Sequence, residues 1–458
     1  MPDLKHDPHS DGLPVPRRYC AVAVLLTTLT LVVLDGAIAN LALPSIAASL
    51  TASPDSTVWV VTAYQLAVLV ALLPCGALGE KLGARRVYLV GVAVFTLASA
   101  GCALSGSLAV LVVARFAQGL GGGAIMALAV MNLRHAVPHR MVGTIIGINA
   151  MVIAIASAAG PGIAGAILAV ASWPWLFAVN IPLGLIVLAF GFVLPFTPGA
   201  ERRIPGAALV INGVMFVLFF AGGDRVVQQP LVGGAMMLGA VVCLVALLRI
   251  ERGSVAPLVP TDLLALPAFR IALIASVSCF TGQMLSLIAL PFYLQHGLGM
   301  APIQAGLYMM PLPAATAVIA PISGRLADRF KTAWLCGAGG GLMAIGFMAI
   351  ALLPATAGGA TVIAGTVVAG LGFGLFQTPN NRVLLLSAPR PRSGAAGAMQ
   401  GTARLSGQTL GGVTMAILFG LLSVTAAPEM ALLVAAVFAA LAAVVSVGRA
   451  RFEPALGA

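Results

Sequence analysis

Asp35, Arg115 and Arg404 each stand inside a long apolar run, and their presence there needs a chemical reason. Asp35 lies in Leu-Asp-Gly-Ala-Ile-Ala-Asn-Leu-Ala-Leu-Pro (34–44), Arg115 in Arg-Phe-Ala-Gln-Gly (115–119), and Arg404 in Gly-Thr-Ala-Arg-Leu-Ser-Gly-Gln (401–408). A carboxylate near a bilayer midplane costs about 3 kcal/mol on insertion scales, so such an acid usually serves an ion or proton path. The plainer alternative is a protonated acid that hydrogen-bonds a neighbouring helix. A desolvated carboxylate can take up a proton whereas a guanidinium stays charged, so an Asp–Arg pair has the parts of a proton switch. Asp35 sits roughly 22 Å from the inner end of its segment and Arg115 roughly 10 Å from the outer end of its own, about the same depth. The two can meet or share a water; alternatively Arg115 supports packing by donating to carbonyls. Arg404 has no acid in any C-terminal segment to pair with. It either donates to carbonyls or faces water, and it raises an anionic or zwitterionic substrate as an option.

Other chemistries lack their residues. The three lysines, Lys5, Lys81 and Lys331, never follow glycine, so there is no phosphate-binding loop and no ATP hydrolysis is expected. His135 and His139 are separated by Pro138 and have no third ligand nearby, which argues against a metal. The six cysteines lie in or at the ends of apolar segments and imply no disulfide framework. No enzyme activity and no cofactor are expected.

The elements that must position these residues are membrane helices. Hydrophobic residues make up 60% of the 458-residue chain and charged ones 8%, with mean hydropathy +1.07, against the ~25% charged content of a soluble domain. Period-two alternation is missing, which leaves helices rather than a barrel. Apolar segments fall at about 20–48, 56–78, 86–106, 108–132, 142–170, 174–197, 206–222, 231–250, 269–293, 303–323, 332–353, 359–381, 394–424 and 428–448, fourteen candidate spans. With the N-terminus inside, every Lys and Arg except Arg115, Arg225 and Arg404 falls in an inner loop or tail. The net charge of +11 is therefore topogenic, not a nucleic-acid surface, and both termini are expected in the cytoplasm. Trp173 and Trp175 flank Pro174 at an outer edge, where interfacial anchoring is the default. Gly76-Ala-Leu-Gly-Glu-Lys81 is echoed by Gly324-Arg-Leu-Ala-Asp-Arg329, an internal repeat. The expected division is a tail (1–19), a six-helix bundle (20–199), two linker spans with their loops (200–267), a second six-helix bundle (268–448) and a tail (449–458).

These patterns together resemble the major facilitator superfamily, specifically its fourteen-span drug:proton antiporter branch of the EmrB/QacA type. The resemblance is carried by Leu34-Asp35 through Asn40 to Pro44, by Gly76 to Arg86, by Arg115 to Gly119, and by Gly160-Pro161-Gly162 through Gly165. The family's loop pattern runs Gly-x-Leu-Ala-Asp-Arg-x-Gly-Arg-Arg; here Glu80 replaces its acid and Lys81 its first arginine, followed by Gly83, Arg85 and Arg86. By resemblance this loop, with Asp328 and Arg329 in the repeat, latches the bundles in one state and releases them in another; ordinary topogenic charge is the alternative. In the antiporter-like segment, Pro161 removes a backbone donor while Gly160 and Gly165 permit a close crossing, which packing alone would also explain.

The resemblance implies an all-α integral membrane protein, two six-helix bundles plus two inserted helices, in a bacterial inner membrane. It implies proton-coupled export of small lipophilic compounds, cationic by the family's habit, driven by the proton gradient through Asp35 and Arg115. Polar points expected to line the substrate site are Asn40, Tyr64, Gln65, Asn149, Gln283, Gln377 and Arg404. Expected partners are lipid, protons and a small molecule; a periplasmic adaptor is left open. The rivals are transport of a neutral or anionic metabolite, anchored by Arg115 and Arg404, and a non-transporting receptor or scaffold.

Overall fold

Long runs of Leu, Val, Ala and Gly leave the backbone no partner in lipid except its own helix, and the computed structural model of the chain is helical throughout its described residues. Those residues are 12–138, 141–197, 199, 206–226, 229–251, 261–352, 359–387 and 393–452. The first bundle contains α1 (Arg17–Ser49), α2 (Pro54–Leu82), α3 (Ala84–Ala103), α4 (Leu108–Ala136), α5 (Val142–Val170), α6 (Trp175–Ala178) and α7 (Asn180–Ala189). Helices α8 (Gly206–Arg225) and α9 (Pro230–Ile250) follow, then the short α10 (Thr261–Leu264). The second bundle contains α11 (Pro267–Phe292), α12 (Pro302–Met309), α13 (Pro311–Leu326), α14 (Thr332–Leu352), α15 (Gly359–Leu386), α16 (Ser393–Leu421) and α17 (Ala426–Gly448). Among the described residues, 11 helical stretches are long and apolar enough to cross a membrane. Helices α5, α16 and the α6–α7 pair occupy three further expected segments.

Two expected segments are broken, and proline explains both. Pro182 cannot donate to the Ala178 carbonyl, so the segment 174–197 divides into α6 and α7 before ending in a 3-10 turn at Gly191–Val193. Pro311 does the same to the Leu307 carbonyl, separating α12 from α13. The expected N-terminal tail is shorter than 1–19, because α1 already begins at Arg17, whose guanidinium donates to the Phe192, Val193 and Leu194 carbonyls. At the other end Arg449, assigned to a tail, is fully buried and donates to Asn380 Oδ1 at 2.8 Å.

The bundles share one hydrophobic core at the face away from the chain ends, where Leu41, Phe177 and Ala164 of the first join Phe280, Phe292 and Phe419 of the second. Toward the terminal face the second bundle has its own small core around Phe269, Leu273 and Leu384. The first bundle's core there is built around Leu25, Tyr88 and Leu128, joined by Leu405 of α16. Helices α5 and α12 cross so closely that a Cβ on Gly306 would stand 2.5 Å from the Pro161 carbonyl oxygen, and one on Gly165 3.0 Å from Ile303 Cα. Helices α8 and α9 pack on each other, and α8 touches α2 and α16. Leu231, Val242 and Leu238 leave their outer faces exposed, as lipid contact requires.

Candidate coupling site in the first bundle

Asp35 is 2% exposed and sits on α1 among four other elements. Its Oδ2 accepts from Arg115 Nη1 of α4 at 2.6 Å, and its Oδ1 accepts from Gln118 Nε2 at 2.9 Å and Asn180 Nδ2 at 2.7 Å. Arg115 and Gln118 are three residues apart on α4 and so share a face. The Gln118 amide is used at both ends: Oε1 accepts from Arg115 Nη1 at 2.6 Å, and Nε2 also donates to Ser99 Oγ of α3 at 2.9 Å. Cys102, one turn beyond Ser99, lies with its Sγ 3.6 Å from Gln118 Oε1. Arg115 Nε donates to the Val60 carbonyl of α2 at 3.0 Å, and its guanidinium lies 4.2 Å from the Tyr64 ring centre and 5.3 Å from that of Phe177.

Three donors converge on one buried carboxylate, and charge-assisted bonds of this kind are about twice as strong as neutral ones. Arg115 is fully buried, yet its Nη2 has no acceptor. The network is thus complete around the acid and incomplete around the base. If Asp35 took a proton, the Arg115 charge would lose its only carboxylate among the described residues.

Asp35 and Arg115, matched in depth by sequence, are in direct contact, and Arg115 also makes the carbonyl bond offered as its alternative role. Gln118, Asn180 and Ser99 were assigned no role. Gln118 carried a signal, one helical turn after a buried charge; Asn180 and Ser99 are neutral polar residues that only tertiary packing brings to Asp35. Tyr64, assigned to the substrate wall, instead stacks on Arg115, its hydroxyl 3.4 Å from the Val32 carbonyl. Asn40 turns back to its own helix, donating to Gly36 O at 3.0 Å with Oδ1 unpaired. Gln65 is buried at 8% exposure. Gln283 and Gln377 are half-buried in the second bundle, and Arg404 is half-buried with its Nε unpaired. The Asn149 side chain lies outside the described residues. Trp175 is exposed as an anchor would be, whereas Trp173 is core, packed edge-on against Phe177.

The sequence motif expected as a loop is a tight helix junction: Glu80 and Lys81 end α2, Arg85 and Arg86 begin α3, and Glu80, Lys81 and Arg86 are exposed while Arg85 is half-buried. Gly83 adopts φ 95°, a left-handed conformation, and a Cβ there would collide with the Thr197 carbonyl. The backbone N–H of Arg85 donates to Thr197 Oγ1 at 3.0 Å, tying this turn to the end of its own bundle. Asp328, named with Arg329 in the repeat, pairs with Arg382 of α15 at 2.5 Å, within the second bundle. Gly160, Pro161 and Gly165 lie on α5, and Pro161 and Gly165 face α12.

The sequence pattern that defines the Major Facilitator Superfamily matches residues 25–411. This chain belongs to that superfamily. It is 42% identical over 442 residues to "Uncharacterized transporter YebQ" of Escherichia coli K12, covering 95% of this chain and 96% of that one. It is 30% identical to "Riboflavin transporter RibZ" of Clostridioides difficile, over 85% of each chain. It is 32% identical to "Tetracenomycin C resistance and export protein" of Streptomyces glaucescens, over 91% of this chain and 78% of that one. In fold it is similar to an inward-facing bacterial homologue of the lysosomal transporter Spinster, with TM-score 0.70, 14% identity and coverage of 96% and 98%. The inward-open xylose transporter XylE of E. coli gives TM-score 0.65 at 14% identity, over 95% of this chain and 96% of that one. The superfamily member described here is a multi-pass membrane transporter.

Proposed function

We propose that this transporter exports small lipophilic compounds in exchange for protons, as a fourteen-span member of the drug:proton antiporter branch in a bacterial inner membrane with both termini in the cytoplasm. The fourteen spans are the 11 apolar stretches together with α5, the α6–α7 pair and α16, arranged as bundles 20–199 and 268–448 around the linker spans. Protons, lipid and a small molecule are its partners, and the gradient drives it without a cofactor. Two relatives, one named as a tetracenomycin C resistance and export protein and one as a riboflavin transporter, support a small-molecule cargo.

The observation that carries the reading is the closed network around Asp35, the one acid deep inside an apolar segment of the sequence, with Arg115 as its counter-ion. A proton arriving from outside neutralises Asp35 and dissolves the ion pair. Gln118 and Asn180 keep hold of the carboxyl group while Arg115 is freed. The two protonation states therefore favour different packing of α1 against α4, and alternating access follows if the bundles respond by rocking. The helix junction from Glu80 to Arg86 and its repeat at Asp328 and Arg329 act as latch elements at the terminal face.

The test is proton flux in inside-out vesicles with an imposed acid-inside gradient, comparing wild type with Asp35→Asn. Substrate should dissipate the gradient in wild type only. Equal dissipation by both proteins would remove Asp35 from coupling.

A further inference from the structure

Arg404 stands near the middle of α16, roughly 16 Å along it, and its Nε is buried with no hydrogen-bond partner. Its direction follows from its neighbours. Ala403 shares a core with Phe269 and Leu273 of α11, and a Cβ on Gly407 would stand 2.5 Å from the Val277 carbonyl of α11. On the other flank, a Cβ on Gly401 would stand 2.8 Å from Leu72 Cδ2 of α2. At about 100° per residue, Arg404 falls between these flanks and points into the seam between α2 of the first bundle and α11 of the second.

The two fully buried arginines are treated differently. Arg115 has Asp35, and Arg449 has Asn380. Asp35 cannot serve Arg404, because three donors of its own bundle hold it. A guanidinium does not shed its proton, and its planar fork matches a carboxylate, sulfonate or phosphate through two bonds at once. Gln377 lies at similar depth, roughly 14 Å from the terminal end of α15. It stands on the α15 face that carries Phe373, packed edge-on to Phe280 of α11, and Asn380, which donates to Ser276 of α11 at 2.8 Å. Its side chain has no hydrogen bond among the described residues, so it offers a polar but uncharged contact beside apolar walls.

We infer that Arg404 anchors an anionic group on an otherwise lipophilic substrate, so that the cargo is an amphipathic anion and not the cation expected from the family's habit. This rests on the exporter reading above. In this arrangement the two functions are divided between bundles: Asp35 carries the proton and Arg404 the substrate's charge.

The experiment uses the full chain in inside-out vesicles with an acid-inside gradient, and two permanent ions, naphthalene-2-sulfonate and tetraphenylphosphonium. Wild type should release protons with the sulfonate, and Arg404→Gln should raise the half-saturating concentration about tenfold or more, the worth of one charge-assisted bond. Arg404→Lys, which keeps the charge and loses the fork, should fall between them. A lipid headgroup lodged at Arg404 would not dissipate the gradient, so only a moved substrate gives this signal. The wild-type preference between the two ions tests the inference even if Arg404→Gln does not fold. Proton release with tetraphenylphosphonium alone, or unchanged sulfonate transport by Arg404→Gln, overturns the anion inference and leaves antiport standing. Proton release with neither ion, and no difference on Asp35→Asn, overturns both.

Discussion

Asp35 and Arg115 form a pair whose worth lies in what happens when one partner is lost. Removing one member of a buried ion pair typically costs about 3–5 kcal/mol, because the other is left charged and unpaired, whereas replacing both with apolar residues is often close to neutral. Arg115→Leu should therefore lower the stability of the detergent-solubilised protein markedly, and Asp35→Leu combined with Arg115→Leu should recover much of the loss. Thermal unfolding of wild type, Arg115→Leu, Asp35→Leu and the double variant gives the coupling directly, and losses that merely add would mean that the contact carries no energy. Asn180→Leu removes one bond to a charged group and should cost less, about 1.5–3 kcal/mol. These charges were legible in the sequence because an ionisable residue in an apolar run is rare. The residues completing the site were not, since Ser, Asn and Gln occur in membrane helices for many reasons and nothing local says which of them meet.

At the scale of the element, apolar length and inner-loop charge located nearly every helix, while the two internal breaks escaped a reading based on hydropathy. Proline 182 could have revealed the first, and its consequence is functional: the break at Val179 makes Asn180 the first residue of a new helix, with its amide on Asp35. Close crossings are equally hidden, because small residues look alike until a partner is known. Gly306 is a strong case, since the atom a side chain would meet is the Pro161 backbone carbonyl, which cannot swing away. Gly306→Val should disfavour the state closed at the far face by about 1–3 kcal/mol, the usual range for overpacking. That corresponds to a population shift of roughly 5- to 150-fold. The readout is a thiol at Leu41→Cys, fully buried in the shared core. It should become reactive to a membrane-impermeant maleimide in the Gly306→Val background while staying protected without it. Protection in both backgrounds would show that α5 and α12 tolerate the added bulk without opening.

For the whole molecule, an all-helical transporter fold of this superfamily was readable from hydropathy and from the resemblance, but the conformational state was not, because one sequence serves every state of a transport cycle. The structure has the bundles fused in one core at the far face and carrying a separate small core for the second bundle toward the chain ends. Transport by alternating access requires the far-face seam to part. Gly162 and Met310 face each other across that seam: a Cβ on Gly162 would stand 2.6 Å from Met310 Sδ and 3.6 Å from its Cγ, so side chains at the two positions are in contact. Gly162→Cys with Met310→Cys should cross-link under mild oxidation, stop transport, and recover it on reduction, while either single variant keeps transporting after oxidation. Full transport by the cross-linked protein would mean that α5 and α13 move as one body, and the opening seam would then have to lie along α2 and α16.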